Sequence, residues 1–469
     1  MPAPTNLHRR HLISAALAGA VVPGPLAFAE NDAVDGFREP ARTLPLVSDA
    51  DVVVCGAGPA GVSAAITAAR SGAKVRLFEW RGCLGGVWTA GLLGYLLDFH
   101  KPGFAKELKQ HLTTRGYRRG DAETGICYDP EGMKLLLEEL CSEAGVQFQL
   151  HTKVSAAYLD GRRLNTLVTE SKSGREAWQA PVFIDATGDG DLGALAGCGF
   201  EFGESAACPC QPMSLNALLV CQDADALSDF VRFAVHADED LSNNEKKDRF
   251  RAEIERTGHF PSYSKPTLWQ VRDNLLLVMM NHEYGVEPFD AAAVTAATVR
   301  ARAELHRIVE GLKGLGGPWQ GLQIAATAEQ IGVRDGRRIR GRYMVSAKDV
   351  QNGARHDDAV TRATFSVDVH AASAQQNKTS AYSNFGIKTQ PYDIPLRALI
   401  AADVDGLMMA GRAISGDFIA HSSYRVTGNA VSMGEAAGVV AALAAKSGRL
   451  PHDVPWSEAA AKLPELARG

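Results

Sequence analysis

The chain has 469 residues, is 46 % hydrophobic and carries a formal net charge of −5. This length allows two domains with full hydrophobic cores. The weakly acidic balance, with no basic patch, argues against nucleic acid as a partner. Outside the N-terminal segment no apolar run is long enough to cross a membrane, so we expect no stable membrane span.

The N-terminal segment has the features of an export signal. Arg9 and Arg10 precede a short apolar run, and the Ala-Phe-Ala motif at 27–29 is a typical cleavage site. Twin arginines favour the Tat pathway, which exports folded proteins. We therefore predict a signal peptide at 1–29, a linker at 30–46, and a periplasmic or secreted location.

A glycine-rich turn between a predicted strand and an Ala-rich helix is the next motif. It reads Asp-Val-Val-Val-Cys-Gly-Ala-Gly-Pro-Ala-Gly and ends at Gly61. In such a turn Gly56 permits the tight reversal, Gly58 lets a pyrophosphate approach the backbone, and Gly61 lets the helix pack closely on the sheet. The helix, from Ala60 onward, would present its positive dipole end to the phosphates.

A second apolar run ends in Glu79, at the spacing expected for the acid of a βαβ dinucleotide-binding unit. Its carboxylate can accept hydrogen bonds from the two ribose hydroxyls. It would repel a 2′-phosphate, which disfavours NADP. The unit predicts a bound dinucleotide, and by itself it does not distinguish FAD from NAD.

Later segments have the same character as this unit. They are a glycine-rich loop at 82–91, a strand ending in Ala-Thr-Gly at 186–188, a buried strand ending in Gly-Arg at 411–412, and an Ala-rich helix at 429–446. The helix has two glycines four residues apart, which predicts a flat face against a sheet or a ring. Residues 206–375 differ in texture, with charged segments between predicted strands.

The change in sequence composition at about residues 206 and 375 predicts the domain organisation. We expect a dinucleotide-binding domain in two parts, 47–205 and 376–450, with a second domain at 206–375 inserted between them. Residues 451–469 are predicted to form a C-terminal tail.

Together, these motifs resemble the FAD-dependent oxidoreductase superfamily of the glutathione-reductase and fumarate-reductase type. More narrowly, the chain resembles the bacterial FAD-dependent oxidoreductase family, whose members are often exported. The resemblance implies an α/β fold in which a three-layer, Rossmann-like FAD-binding domain carries an inserted α+β substrate domain. It also implies FAD rather than NAD as the cofactor. The substrate stays open, because the insert is the least recognisable part of the sequence.

The resemblance also implies which residues contact FAD. Glu79 would hold the adenosine ribose, and the helix beginning at Asn429 would aim its N-terminus at the flavin ring. Cys83, in the glycine-rich loop, is a candidate for a covalent flavin link. No Cys or His cluster has metal-ligand spacing, so no metal is predicted. The full predicted cofactor set is Gly56, Gly58, Ala60, Gly61, Glu79, Gly85, Gly86, Thr187, Gly188, Gly411, Arg412, Asn429 and Gly434.

Two residues are predicted to carry the catalytic chemistry. Oxidation of an alcohol requires a base for the hydroxyl proton, and His421, expected in a loop beside the flavin, is the main candidate. Arg425 is predicted to anchor an anionic or hydroxyl-rich substrate, or the C2 carbonyl of the flavin. Arg397, Tyr392 and His100 are weaker candidates.

The predicted function is oxidation of a small polar substrate, such as an alcohol, sugar, polyol or hydroxy acid, by hydride transfer to flavin N5. The electron acceptor would be oxygen, a quinone or a cytochrome. Two alternatives stay open at this level, a flavin-dependent monooxygenase and a non-catalytic flavin-binding protein.

Overall fold

The structure is a computed structural model that describes residues 36–37, 39–119, 125–205, 210–233 and 241–466. The predicted signal peptide lies outside these residues. The chain divides into two units, Met1–Thr43 and Leu44–Gly469. The described residues of the first unit are solvent exposed and contain no helix or strand. All the architecture below belongs to the second unit.

The described helices are distributed along the whole second unit. They are α1 (Pro59–Arg70), α2 (Phe104–Thr114), α3 (Pro130–Glu143), α4 (Asp191–Leu195), α5 (Asn243–Arg256), α6 (Ala291–Gly314), α7 (Ala347–Asn352), α8 (Ala374–Thr379), α9 (Phe418–Tyr424), α10 (Thr427–Ser447) and α11 (Trp456–Leu466).

The strands are mostly short. In chain order they are β1 (Leu46–Val47), β2 (Val52–Cys55), β3 (Val75–Phe78), β4 (Tyr95–Leu97), β5 (Arg118–Arg119), β6 (Gly125–Tyr128), β7 (Gln147–Gln149), β8 (Lys153–Asp160), β9 (Arg163–Ser171), β10 (Gly174–Gln179), β11 (Val182–Asp185), β12 (Phe200–Glu201), β13 (Ala217–Val220), β14 (Val231–Arg232), β15 (Thr267–Arg272), β16 (Leu275–Met279), β17 (Gln323–Thr327), β18 (Arg338–Ile339), β19 (Ala359–Ala363), β20 (Val369–His370), β21 (Tyr382–Ser383), β22 (Tyr392–Pro395) and β23 (Leu407–Met409).

A parallel sheet of order β23-β11-β2-β3-β7 forms the centre of the unit. Strands β2, β11 and β23 are fully buried and almost entirely apolar, because both faces of the sheet are covered there. Helices α1 and α10 pack together on it. A second sheet, of order β1-β10-β9-β8, meets it through Trp178, whose ring centroid lies 4.8 Å from that of Phe78. This layered α/β arrangement confirms the predicted Rossmann-like fold class.

Helices α1 and α10 approach each other through small residues. A Cβ added at Gly434 would lie 2.3 Å from the carbonyl oxygen of Ala60, and one at Gly438 would lie 2.3 Å from that of Ala64. The predicted flat face of α10 therefore exists, but it packs against a helix rather than a sheet or ring. Ser63 adds a hydrogen bond of 2.8 Å from its Oγ to the carbonyl oxygen of Val431.

A second hydrophobic core lies against a mixed sheet of order β14-β15-β16-β13-β17. Phe250 of α5 is fully buried there, and its ring centroid lies 5.8 Å from that of Trp319. Helix α6 contributes Leu305, Ile308 and Leu312 to the same core. This core is built mainly from chain that was assigned to the insert, and Leu92 and Cys127 of the first part of the chain complete it.

The core assignment departs from the predicted insert at its C-terminal end. Val345, Val350, Ala363 and Val367 belong to the first core, although they precede residue 375. The reason is strand pairing, because β19 pairs with β22 and packs near α10. The sequence pattern could not reveal this pairing partner.

One described helix, α10, is long and apolar enough to cross a membrane by length and composition alone. In the structure 83 % of its apolar 18-residue stretch is buried inside the protein. Its hydrophobic surface is thus used for packing on α1.

Candidate cofactor and substrate site

The glycine-rich turn follows β2 and leads directly into α1. Gly56 has a φ of +89°, and a Cβ there would lie 2.5 Å from the carbonyl oxygen of Ala186. A Cβ on Gly61 would lie 1.8 Å from the carbonyl oxygen of Gly56. By contrast, nothing lies within 4 Å of a Cβ built on Gly58. Gly56 and Gly61 therefore serve packing, whereas Gly58 borders open space.

Helix α1 begins with Pro59, and its N-cap Gly58 provides no side-chain hydrogen bond. The amide groups of the first turn are left without a capping side chain on the open side of the turn. Such an N-terminus binds anionic oxygens through its amides and its dipole.

Glu79 follows β3 and is 3 % exposed. Its carboxylate accepts hydrogen bonds from the amide of Ala57 at 2.8 Å and from the amide of Arg81 at 3.0 Å. The guanidinium of Arg81 lies 3.5 Å away and balances the charge. These contacts hold the acid beside the glycine turn, as a ribose-binding acid requires.

The turn after β11 forms the next part of the wall. Asp185, at the end of this strand, accepts hydrogen bonds from the amide of Thr187 at 3.0 Å and from its hydroxyl at 2.7 Å. The following Gly188 packs under Arg412, whose guanidinium donates to Asp189 at 2.8 Å. Arg412 is thus held by a carboxylate across the two turns.

These turns enclose a cavity of about 730 Å³. It lies outside the carboxyl ends of β2, β3, β11 and β23, which is where open α/β sheets bind ligands. The predicted cofactor residues that line it are Gly56, Gly58, Ala60, Glu79, Gly86, Thr187, Gly188, Gly411 and Arg412. Gly61, Gly85, Asn429 and Gly434 are predicted cofactor residues that do not line it.

Gly85 contributes to the shape of the wall from behind. Its φ is +103°, and its amide donates to the carbonyl oxygen of Ala57 at 2.8 Å. This bond brings the next residue, Gly86, against the first turn, so that a Cβ on Gly86 would lie 2.9 Å from the Cα of Gly58. Two adjacent glycines therefore let two loops meet without a side chain between them.

The opposite wall of the cavity comes from residues that sequence reasoning missed. It includes Phe289, Val294 and Thr298 around the start of α6, together with Gln330 and Arg337. Their spacing carries no motif, because the chain brings them to the cavity only through tertiary packing.

The N-terminus of α10 reaches the cavity through Thr427 and Ala430. The prediction that this helix begins at Asn429 is wrong, since it begins at Thr427 after Val426, which provides no side-chain cap. Asn429 is fully buried, and neither atom of its amide has a hydrogen-bond partner among the described residues. Between Thr427 and Ala430, Gly428 packs against the backbone of Asp98, where a Cβ would lie 1.9 Å from the carbonyl oxygen.

His421 does not lie in a loop, as predicted, but within α9, and it does not line the cavity. Its side chain is fully buried. Burial, followed by the nearby positive charge of Arg338, lowers the pKa of His421 well below its ordinary value. The residue is neutral but separated from the cavity, and its predicted catalytic role remains a prediction without support from position.

Arg425 follows α9 and does line the cavity. Its guanidinium donates to two backbone oxygens, of Asp368 at 2.8 Å and of Arg334 at 3.3 Å. No carboxylate of the described residues forms an ion pair with it within 4.0 Å. A guanidinium held by neutral acceptors at a cavity wall keeps its charge available for an anionic or polar group.

Cys83 is 7 % exposed and does not line the cavity. Its thiol contacts the hydroxyl of Thr89 at 3.5 Å. Burial raises the pKa of this thiol, which disfavours the thiolate that a covalent flavin link would need. The position thus favours a packing role for Cys83.

The weaker catalytic candidates are also away from the cavity. The hydroxyl of Tyr392 donates to Ser423 at 2.9 Å within the core. Arg397 pairs with Asp358 on the surface at 2.9 Å, and none of these residues lines the cavity. His100 is largely exposed and likewise absent from the lining.

The cavity fits an adenine dinucleotide. Gly58 leaves open space beside two helix N-termini, and Glu79 supplies a buried acceptor. Several buried polar atoms of lining residues also lack partners among the described residues, namely Gln330 Oε1, Arg337 Nε, Arg412 Nε and Thr427 Oγ1. A large polar ligand provides such partners.

Comparison with known families agrees with this geometry. The family described as FAD dependent oxidoreductase matches residues 51–463. The chain belongs to this family. It is therefore an FAD-dependent oxidoreductase, and FAD is the dinucleotide for which the cavity is built. The match spans both the glycine turn and α10.

Solved structures provide more distant likenesses. A geranylgeranyl bacteriochlorophyll reductase-like protein from Thermoplasma acidophilum is 13 % identical, with 90 % of this chain and 83 % of that chain covered and a TM-score of 0.44. The myxobacterial chondrochloren halogenase is 12 % identical, with 89 % and 78 % covered and a TM-score of 0.44. A flavoprotein/dehydrogenase from Cytophaga hutchinsonii is 14 % identical, with 88 % and 81 % covered and a TM-score of 0.41. These likenesses carry no argument about activity. No curated protein sequence matches the chain.

Proposed function

We propose that this FAD-dependent oxidoreductase is exported and oxidises a small polar substrate, namely an alcohol, sugar, polyol or hydroxy acid. The supporting observation is Arg425, a guanidinium without a carboxylate partner among the described residues, at the wall of the cofactor cavity. Such a group recognises a polar or anionic substrate at the place where the cofactor binds. When bound, FAD supplies a two-electron acceptor that takes a hydride at its N5.

The residues of the chain would bind and orient the reactants. Glu79 would accept hydrogen bonds from the ribose, and the first turn of α1 would hold the pyrophosphate. The N-terminus of α10, at Thr427, would stabilise negative charge that develops in the cavity. Arg425 would orient the substrate against this region.

Anaerobic flavin bleaching tests the substrate class. The purified holoenzyme is mixed with a panel of alcohols, sugars, polyols and hydroxy acids while flavin absorbance is followed. We expect at least one member of the panel to reduce the flavin. Reduction by NADPH alone would favour a monooxygenase instead, and the absence of bleaching by every donor would contradict the proposed class.

Substitution of Arg425 tests whether its guanidinium binds the substrate. We expect Arg425→Met to lower kcat/KM for the bleaching substrate about 10- to 100-fold, the effect of losing a charge-assisted contact. Arg307→Met is the matched control, because Arg307 lies exposed on α6. Equal activity of the two variants would show that Arg425 does not contribute to substrate binding.

The export part of the proposal is supported by Arg9 and Arg10 and the cleavage motif, all outside the described residues. Cell fractionation of the full chain tests it. We expect the flavin-loaded protein in the periplasm or medium, and we expect the double variant R9K/R10K to stay in the cytoplasm. Retention of the unmodified chain in the cytoplasm would refute export.

A further inference from the structure

A buried cluster of three polar rings is linked to the cofactor cavity through Asp368 and Arg425, although none of the three rings itself lines the cavity. Tyr263, His282 and His370 are 4 %, 2 % and 7 % exposed. The ring centroids of Tyr263 and His282 lie 4.2 Å apart, and those of His282 and His370 lie 5.1 Å apart. Arg425 joins the cluster to the cavity, because it lines the cavity and donates to the carbonyl oxygen of Asp368.

The hydrogen bonds of His370 define which of its ring nitrogens is free. Its Nε2 lies 3.4 Å from the carboxylate of Asp368, which can only accept when ionised. A neutral His370 therefore carries its proton on Nε2, and its Nδ1 presents a lone pair. This Nδ1 is buried and has no hydrogen-bond partner among the described residues.

His282 also has one free ring nitrogen. The hydroxyl of Tyr284 donates its only proton to the carbonyl oxygen of Ser262 at 2.7 Å. Its oxygen can therefore only accept from Nδ1 of His282, at 3.3 Å. The Nε2 of His282 is then a second buried lone pair, and it too lacks a partner within the described part of the chain.

Both histidines are neutral at ordinary pH. Burial, followed by the positive charge of Arg334, lowers the pKa of His370 to about 4 against the opposing effect of Asp368. Burial, again with Arg334 next, lowers the pKa of His282 well below its ordinary value. Two neutral imidazoles thus offer two acceptors, and a ligand that satisfies them must donate hydrogen bonds.

Positive charge lies close to the cluster. Arg334 donates to the carbonyl oxygen of Pro212 at 2.6 Å and to Oγ of Ser214 at 3.0 Å, both neutral acceptors. Burial and the neighbouring Arg425 lower the pKa of Arg334 to about 10, so it stays protonated at neutral pH. Neither arginine forms an ion pair within 4.0 Å with a described carboxylate. Asp368, the nearby acid, already faces His370.

We propose that this cluster is the substrate-recognition site, and that it takes a hydroxycarboxylate. Arg334 and Arg425 bind the carboxylate, and the free ring nitrogens of His282 and His370 accept hydrogen bonds from hydroxyl groups. The inference rests on the proposed function and narrows its substrate to one class. An anionic group and a hydroxyl donor on one small molecule match the two unpaired cations and the two unpaired acceptors.

Neither His370 nor His421 lines the cavity, but His370 contacts Asp368, whose carbonyl oxygen accepts from the cavity-lining Arg425. His370 is therefore assigned as the catalytic base of this site. Its Nδ1 accepts the hydroxyl proton of the substrate as the carbon-bound hydrogen leaves with both electrons to the oxidised flavin, and the C–O bond becomes C=O. Hydroxy acid and oxidised flavin give oxo acid, reduced flavin and one proton held on His370. Asp368 stabilises the imidazolium that forms, whereas His282 is backed only by the neutral hydroxyl of Tyr284.

A binding experiment with the holoenzyme tests recognition without turnover. Calorimetric titration with 2-oxo acids, which cannot be oxidised at the same carbon, is compared with their uncharged amides. We expect 2-oxo acids to bind, the amides to bind at least about 10-fold more weakly, and Arg334→Met to remove this preference. Arg307→Met serves as the control on α6. Equal binding of acids and amides, or no binding of either, would overturn the carboxylate site.

A kinetic experiment tests the base. Single-turnover flavin reduction is followed with 2-hydroxy acids from glycolate to mandelate, each matched to its neutral diol. We expect the acids to react at least about 10-fold faster than the diols. We expect His370→Asn to slow the acids about 10²- to 10⁴-fold while FAD stays bound. The exposed His306→Asn is the control and should leave the rate unchanged.

The outcomes distinguish the two proposals. Equally fast reduction by the diols would leave the proposed function standing and overturn the hydroxycarboxylate site. Retention of the rate in His370→Asn would overturn the base. If no donor of any class reduces the flavin, the proposed function and the base both fail, and the calorimetric preference for 2-oxo acids still decides the carboxylate site.

Discussion

The two walls of the cofactor cavity are built in different ways. One wall consists of turns that directly follow parallel strands, and each turn is a short motif such as the one from Gly56 to Gly61. The other wall, with Phe289 and Gln330, is assembled from residues scattered over the chain. The histidine cluster, linked to the cavity through Arg425, is assembled in the same way. Backbone geometry determines the first wall, whereas side-chain chemistry determines the second. The comparison teaches that a binding motif can be visible where the reacting groups are not.

The largest expected effect is on the first wall. Gly61→Ala places a Cβ 1.8 Å from a carbonyl oxygen, so the turn must shift, and we expect a destabilisation of at least about 3 kcal/mol or loss of soluble protein. Gly58→Ala should fold normally and weaken FAD binding about 10-fold or more. Chemical unfolding and flavin titration measure the two effects.

Gly314→Ala controls for the substitution itself, because nothing lies within 4 Å of its Cβ position in α6. Its stability should change by less than about 1 kcal/mol. If Gly58→Ala destabilised the apoprotein as much as Gly61→Ala, the division of the glycines into packing and binding roles would be wrong.

The histidine cluster should respond in rate rather than in folding. Asp368→Asn replaces an acceptor with a side chain that can donate, which favours the tautomer of His370 with the proton on Nδ1. We expect flavin reduction by a hydroxy acid to slow about 10²-fold or more, with FAD content unchanged. Stopped-flow reduction and the absorption spectrum check both parts, and a loss of bound FAD would instead show that Asp368 supports cofactor binding.

The pH dependence sharpens this prediction. His370 acts as a base only when neutral, and burial with Arg334 lowers its pKa to about 4 despite Asp368. The reduction rate should therefore stay constant from about pH 8 to pH 6 and fall as pH approaches 4. Charged groups that face His370 are Asp368, Arg334 and Arg425. A rate that halves already near pH 6.5 would point to an unperturbed histidine elsewhere.

A smaller effect is expected at the ribose-binding acid. Glu79→Gln removes the negative charge that accepts from Ala57 and Arg81 but keeps an amide oxygen in place. We expect the Kd for FAD to rise about 10-fold, as measured by fluorescence quenching of FAD added to apoprotein. Glu143→Gln, an exposed site at the end of α3, should leave the Kd unchanged.

A further effect concerns stability alone. Burial raises the pKa of Glu435 to about 7, and its carboxylate accepts from the amide of Phe104 at 2.7 Å. Because the folded pKa lies above the unfolded one, this group stabilises the protein below about pH 4.5, and that contribution is lost as pH rises through 7. Glu435→Gln should remove about 1–3 kcal/mol of this pH dependence in urea unfolding at pH 5 and pH 8. An unchanged slope would show that Glu435 titrates normally.

The part of the site that was predictable is the part encoded locally. Gly56, Gly58 and Glu79 line the cavity as expected because a turn, a helix start and an acid stand at fixed distances along the chain. His421 was misplaced because its neighbourhood was predicted as a loop, whereas it forms α9 and turns the ring into the core. The pair of His282 and His370 carried no signal, since their proximity depends on packing between distant segments.

The strand order of the central sheet has a consequence for biosynthesis. β23 pairs with β11, and β11 pairs with β2. The central sheet therefore contains both β2, its first strand in the chain, and β23, its last. The cavity also needs the N-terminus of α10, which follows β23 in the chain. A ribosome must therefore release nearly the whole polypeptide before a cofactor can be captured. Loading is a late event, and once it occurs the ligand clamps early and late segments of the chain to each other.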